Sequence, residues 1–331
     1  MKQVLFATTA LIATAGMASA EITLSGSAQM GVFGGDFVRS ADIRDEFDNI
    51  IANPDGVADD VQFFTDIDVT FTLSGETETG LVFGANIDLD ESDGNPSGAF
   101  AGGDQGGEAL FVSGSLGTLT MGDTDGALDF ALTEAVIGGT LGDVHTIHAG
   151  YNGNSGLDGV GTDGQVARYQ YTFGDFTVAA SAEVDDRGTD ADGEFDGDNI
   201  YGVGATYTRD FGTITTTFGF GYQTKDDARL LGASVDMAAG GFRVIANYVD
   251  HNDNPSGQES NFGIAVGYDF AQFTVGVNYG ENEFDVGTAD GYGIAVNYDL
   301  GGAELQLGYG DGEDQFGDDA DGYSFGISMA F

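Results

Sequence analysis

The last nine residues, Tyr323 to Phe331, alternate without a break: Tyr323, Phe325, Ile327, Met329 and Phe331 fall on one face, Ser324, Gly326, Ser328 and Ala330 on the other. Side chains of a strand repeat every two residues, so the segment is apolar on one side and small or polar on the other. A soluble sheet would turn the apolar side to a core. A transmembrane barrel inverts the use, apolar toward lipid and polar toward a lumen. An aromatic terminus on the apolar face suits the closing strand of such a barrel, and Phe331 is read as its assembly signal.

The amino end fits the same compartment. Met1-Lys2 is a positive n-region, Val4 to Ala15 an apolar stretch and Ala18-Ser19-Ala20 a small-residue cleavage site, so residues 1–20 read as an export signal peptide and residues 21–331 as the barrel domain. No later apolar run is long enough to span as a helix. Fifty-five acidic residues against nine Lys and Arg give a net charge of −46, which repels nucleic acid and argues against polyanionic partners. Cysteine is absent, so disulfides and thiolate chemistry are excluded and stability rests on the sheet. Only three prolines accompany 56 glycines, which suits crowded but uninterrupted ladders, while 13 Tyr and 25 Phe argue against disorder.

The alternation continues along the chain. Ile22, Leu24, Ala28, Met30 and Val32 face out where Thr23, Ser25, Ser27 and Gln29 face in; Val61 to Leu73 leads through Gly75–Gly80 into Leu81 to Leu89. Phe262 to Phe270 and Tyr292 to Leu300 repeat with a 30-residue offset, and a weaker copy starts at Tyr201. Variable spacing elsewhere favours an antiparallel meander over a solenoid. Aromatics six apart on one face, Tyr201/Tyr207, Phe262/Tyr268, Phe273/Tyr279 and Tyr292/Tyr298, are about 20 Å apart along a strand and suit two interfacial girdles.

Short turns are expected near 75–80, 114–117, 174–175, 209–212, 238–241, 269–272 and 299–302. Long loops are expected near 34–60, 91–108, 123–164, 185–198, 223–228, 250–259, 281–289 and 311–321. These connections predict an all-β, up-and-down antiparallel barrel of about sixteen strands, wide enough to leave an aqueous channel. A secreted acidic β-sandwich or adhesin shares the signal peptide and the period of two and remains the alternative.

Parity places Arg168 and Arg243 in the lumen, together with Asp66, Asp68, Asp88, Asp90, Glu183 and Asp236. A lumen with more carboxylates than guanidinium groups attracts cations, because rings of Asp and Glu set the sign of a pore potential. Arg39 and Arg44 either reach inward or pair with Asp42 and Glu46 at the surface. The acidic segments Asp185 to Asp198 and Asp311 to Asp321 offer hard oxygen ligands suited to Ca²⁺, although neither has EF-hand spacing. No cofactor is required. Catalysis has three histidines, His145, His148 and His251, to draw on; the first two, three apart in a long loop, pack within that loop, line a pore or coordinate a metal.

The opening Glu21-Ile-Thr-Leu-Ser-Gly26, the hairpin Phe71 to Ala85, the pattern Leu110-Phe-Val-Ser-Gly-Ser-Leu-Gly-Thr-Leu-Thr-Met-Gly-Asp123 and terminal Phe331 resemble the general-diffusion porins of alphaproteobacterial outer membranes. The resemblance covers essentially the whole chain after residue 20. It implies a sixteen-stranded homotrimeric channel in the outer membrane, in contact with its lipid, for passive diffusion of ions and small hydrophilic solutes. A substrate-specific channel is the neighbouring alternative. The resemblance also implies that the third long loop, from Asp123 to about Gly164, folds into the lumen, with Asp123, Asp125, Asp129, Glu134 and Asp143 as the acidic side of a constriction. Such channels set a basic cluster opposite, where this chain offers Gln29 on its first strand and only Arg168 and Arg243 elsewhere.

Overall fold

A computed structural model describes residues 21–36, 61–90, 104–160, 164–184, 199–254 and 256–331, with two short strand segments, β2 (Ile43–Arg44) and β3 (Ile50–Ala52), paired as a separate ribbon. The signal-peptide residues, Arg39 and the acidic segment 185–198 lie outside the described residues.

Sixteen strands close into one antiparallel barrel. They are β1 (Glu21–Gly35), β4 (Gln62–Glu76), β5 (Val82–Asp90), β6 (Asp104–Gly114), β7 (Gly117–Gly122), β8 (Val166–Phe173), β9 (Phe176–Glu183), β10 (Ile200–Phe211), β11 (Ile214–Lys225), β12 (Ala228–Ala239), β13 (Phe242–Asn252), β14 (Gln258–Phe270), β15 (Phe273–Phe284), β16 (Gly287–Asp299), β17 (Ala303–Glu313) and β18 (Asp319–Ala330). β1 pairs with β4 on one side and β18 on the other, Met30 opposite Ile327 and Gly31 opposite Gly326, so the sheet has no edge. Phe331 extends the seam, its N–H donating to the Gly26 carbonyl at 2.9 Å. A two-layer sandwich is thereby ruled out.

The expected strand number is met, but four of the expected long loops are tighter than composition suggests, 250–259 and 311–321 shrinking to five residues each and two others to two. β11 and β12 are joined by Asp226-Asp227 alone, β15 and β16 by Asp285-Val286. Residues such as Glu281 and Glu283 read as loop because they are acidic, yet they are strand positions beyond the apolar band. A carboxylate there faces headgroup water, so the ladder continues after hydrophobicity has ended.

Outward side chains are large, apolar and exposed, Phe220 by 59% and Leu231 by 60%. A continuous apolar surface of this kind needs lipid around it. Near the short turns, tilted ring pairs pack along the rim: Phe176 on Tyr207 (centroids 4.6 Å apart), Phe242 on Tyr268 (4.3 Å) and Phe273 on Tyr298 (4.8 Å). Tyr201, Phe262, Tyr279 and Tyr292 stand toward the opposite ends of the same strands. There the tyrosines hydrogen-bond the first carboxylates beyond them, Tyr279 to Glu281 at 3.1 Å and Tyr309 to Asp311 at 2.7 Å. Each ring thus keeps its body in the apolar band and its hydroxyl in the wet layer.

Candidate functional site: the lumen and its inward loop

The segment after β7 enters the barrel and stays there. It carries a short helix, α1 (Ala127–Ala131), and a 3₁₀ turn at Leu141–Thr146. The inner wall receives it in two ways. Apolar sockets take its side chains: Leu128, Leu132 and Leu157 pack on Ile200, Leu230 and Val249; Leu141 and Val144 on Phe33 and Phe64; Ala135 and Ile137 on Ile245 and Ala265. Between the sockets lie inward positions with no side chain. A Cβ at Gly276 would collide with the Ile137 carbonyl and one at Gly293 with the His145 carbonyl; Gly204 and Gly219 stand in the same relation to Ala127 and Ala131. The inward small residues of the sequence are the bed of this loop.

Polar anchors satisfy the loop's backbone, as burial demands. Ala127 N–H donates to Ser181 Oγ (2.8 Å), Thr133 N–H to Ser234 Oγ (2.9 Å), Leu157 N–H to Gln223 Oε1 (2.7 Å) and Gly142 N–H to Gln29 Oε1 (3.1 Å). In the other direction Asn297 donates to the Gly139 carbonyl (2.7 Å), Asn282 to Ala149 (3.0 Å) and Asn278 to His145 (3.1 Å). Glu183, 1% exposed, accepts from Gly159 N–H at 3.1 Å and Gly164 N–H at 3.0 Å. Gln29 therefore serves the loop where a basic residue is expected. The amide side chains are the signal that sequence reasoning missed: inward Asn and Gln are unremarkable for a wet lumen, and only the loop's path shows what they bind.

The loop gathers acid. Asp129 is half-buried, and desolvation together with Asp125, Glu134 and Asp158 pushes its carboxyl up to about 7, against which Arg168 pulls it down. Burial likewise raises Asp158 to about 6, opposed by hydrogen bonds from Gly126 N–H (2.7 Å) and Gln223 (2.5 Å). Glu134 is also raised by burial, although Tyr151 O–H donates to it at 2.9 Å. Asp143 is exposed in the 3₁₀ turn, with φ 50°. Asp123 and Asp125 are exposed at the start of the loop and share a cavity of about 610 Å³ with Asp88 and Arg168. Asp158 belongs with this group and carries no mark in the sequence.

The expected basic residues do not face that cluster as a pair. Arg168, near the long-loop end of β8, has its side chain 11% exposed, lies 4.5 Å over the Phe130 ring and donates to the Asp125 carbonyl at 2.6 Å, with the Asp125 carboxylate 3.5 Å away. It pins the loop's entry. Arg243 sits at the short-turn end of β13, in a two-pronged bond to Asp236 at 3.0 and 2.8 Å. Lys225 donates to the Val160 carbonyl. Among the described lumen-facing residues these are the cations, and each is engaged.

On the wall opposite the loop, Asp68 accepts from Ser27 Oγ at 2.8 Å and Asp88 from Thr70 Oγ1 at 3.0 Å. Asp66 lies in register with Gln29, and Asp90 with Asp68, its own side chain outside the described residues. No trio of His, Asp or Glu positioned for a metal occurs among the described residues. In the 311–321 segment, Asp314 Oδ1 accepts from Phe316 and Asp318 N–H and holds its own turn. His145 and His148 are loop packing, 2% and 3% exposed. Asn278 Nδ2 donates to the His145 carbonyl, so its Oδ1 accepts from His148 Nε2–H at 2.8 Å, leaving His148 Nδ1 buried without a partner. Burial lowers both imidazoles, His145 to about 4. His251 hydrogen-bonds Asn261 and Asn254 at the rim of the barrel.

A closed barrel with an apolar outer band, two aromatic rims and a chain segment laid along its inner wall is an outer-membrane channel. The chain belongs to the Gram-negative porin family, whose sequence pattern matches residues 7–315. It is 30% identical over 242 residues to a porin of Rhodobacter capsulatus, an alignment covering 70% of this chain and 67% of that one. In fold it resembles a solved porin structure with a TM-score of 0.68 at 24% identity, and a triple mutant of the Rhodopseudomonas blastica porin with a TM-score of 0.66 at 18% identity; each comparison covers 94% of this chain and all of the other. The protein is an outer-membrane porin of a Gram-negative bacterium, crossing the membrane with its strands.

Proposed function

We propose that this porin is a non-enzymatic, cation-selective channel for passive diffusion of ions and small hydrophilic solutes, that it acts as a homotrimer, and that it does so after removal of residues 1–20. The selectivity rests on one observation. Carboxylates border the open cavity from both sides, Asp123 and Asp125 at the start of the loop and Asp88 on the wall, and Asp129, Glu134 and Asp158 are near enough to Asp125 to add to its field, while Arg168, Arg243 and Lys225 are each held by protein acceptors. Fields from such groups are focused by low-dielectric walls, so cations are concentrated and anions depleted.

The reading requires no cofactor. Its test is the reversal potential of the purified channel in a planar bilayer under a KCl gradient. A potential of the sign for K⁺ over Cl⁻ supports it, and zero or the opposite sign refutes it. Openings in groups of three equal steps would support the trimer.

A further inference from the structure

The loop covers the wall from β9 round to β1 and the Phe64 end of β4, and leaves the rest of β4, β5 to β7 and the adjoining end of β8 bare. We propose that the bare arc is a binding subsite for cationic polyols, hydroxyl-rich solutes of sugar size that carry an ammonium group. The proposal deepens the cation-selective reading and rests on it.

The arc is a mosaic in register. Thr70 stands opposite Asp88 and Thr72 opposite Asn86 across β4 and β5; Phe111 stands opposite Thr120 across β6 and β7. All six line the cavity of about 610 Å³. On the covered arc the same kinds of side chain, Ser234, Asn278 and Asn297 among them, are used up by the loop's backbone. On the bare arc, the side chains of Thr72, Asn86 and Thr120 have no hydrogen-bond partner among the described residues and are presented to solute.

Two further features narrow the chemistry. The Phe111 ring lies against Gly84, where any Cβ would strike it, so an apolar plate sits amid the hydroxyls and amide. Sugars have that duality, C–H faces for an aromatic ring and hydroxyls for donors and acceptors beside it. The charge is one-sided: Asp88, Asp123 and Asp125 border the cavity, and the one cation lining it, Arg168, is committed to Asp125 and Phe130. An ammonium is favoured there, a carboxylate-bearing sugar is repelled, and a neutral sugar lacks the ionic part.

The test is inhibition of single-channel K⁺ current at pH 6 by three probes of similar size: glucosamine (amine and hydroxyls), glucose (hydroxyls only) and cyclohexylammonium (charge only). Glucosamine is expected to halve the current at a concentration about tenfold lower than either of the others, the worth of a few modest hydrogen bonds. The Asn86→Leu/Thr120→Val double variant is expected to bring glucosamine to the level of cyclohexylammonium; if it forms no channels, Thr72→Val alone is expected to give a partial loss. Equal inhibition by glucosamine and cyclohexylammonium, equal inhibition by glucosamine and glucose, or glucosamine inhibition unchanged in the variants would overturn the subsite. The reversal potential in KCl without solute reads the underlying cation preference separately, so failure of one is not mistaken for failure of the other.

Discussion

Two arcs of one barrel wall are built from similar residues and end in different states. On the arc from Ser181 to Gly31, inward glycines, alanines and amides are buried beneath a chain segment that fills every socket. On the arc from Thr70 to Thr120, inward hydroxyls and one amide remain in the water path. The difference is where the loop after β7 has apolar side chains and backbone to lay down. An inward polar residue is thus an anchor or a ligand contact according to what covers it, and the sequence pattern of the strand is the same in both cases.

The contrast should break most visibly at the bed of the loop. Gly293→Leu puts a side chain where the His145 carbonyl lies, and unlike a core position with room to adjust, the backbone on both sides is fixed by the sheet. The expected result is a displaced loop, a thermal unfolding shift equivalent to about 3 kcal/mol, and an altered unitary conductance. Thr72→Val, on the bare arc, should change stability by less than about 0.5 kcal/mol. Equal effects would erase the distinction between the arcs.

Asn278→Leu comes next. It strands the His145 carbonyl and the His148 Nε2–H in a dry site, at an expected cost of about 2–4 kcal/mol by thermal or urea unfolding. The pH dependence follows from the same segment. His145 and His148 are buried neutral; Asp290 acts on His148 through space and the Tyr151 ring lies edge-on to it, centroids 5.9 Å apart. Their folded values lie below the ordinary 6.5, so the neutral form's contribution is complete above that pH and is lost as pH falls from about 6.5 toward 4. Loop protection from protease should decline over that window, and His145→Gln should flatten the decline.

The smallest effect is electrostatic. Asp129 ionises near pH 7 because its neighbours and its burial oppose the charge. Cation preference in the wild-type channel should therefore rise between pH 6 and 8, and the Asp129→Asn variant should show a flatter profile there. An identical slope in both channels would place the titrating group elsewhere, on the bare wall or at the mouth.

Much of the barrel is legible in the chain because its cause is local. Side chains alternate across a strand, so the period of two, the paired aromatics and the seven short turns define the strands, their faces and their number. Composition misleads where acidity reads as loop: Glu281 and Glu283 extend β15 above the apolar band. The inward course of the loop was implied by resemblance rather than by its own residues. Nothing local tells that Gly276 and Gly293 seat it, that Asn278 fixes the His148 tautomer, or that Asp158 joins Asp129 across 29 positions.

What the sequence determined by itself was thus the strands, their apolar and polar faces and an excess of carboxylate on the polar one, each a consequence of residue type and parity along a single strand. What only the tertiary structure decided was which inward side chains the loop consumes and which stay wet, that Arg168 pins the loop while Arg243 closes on Asp236, and where the carboxylates meet. Those outcomes depend on the path of a segment whose partners lie on strands as far as 158 residues away, and strand periodicity carries no information about a path through the interior.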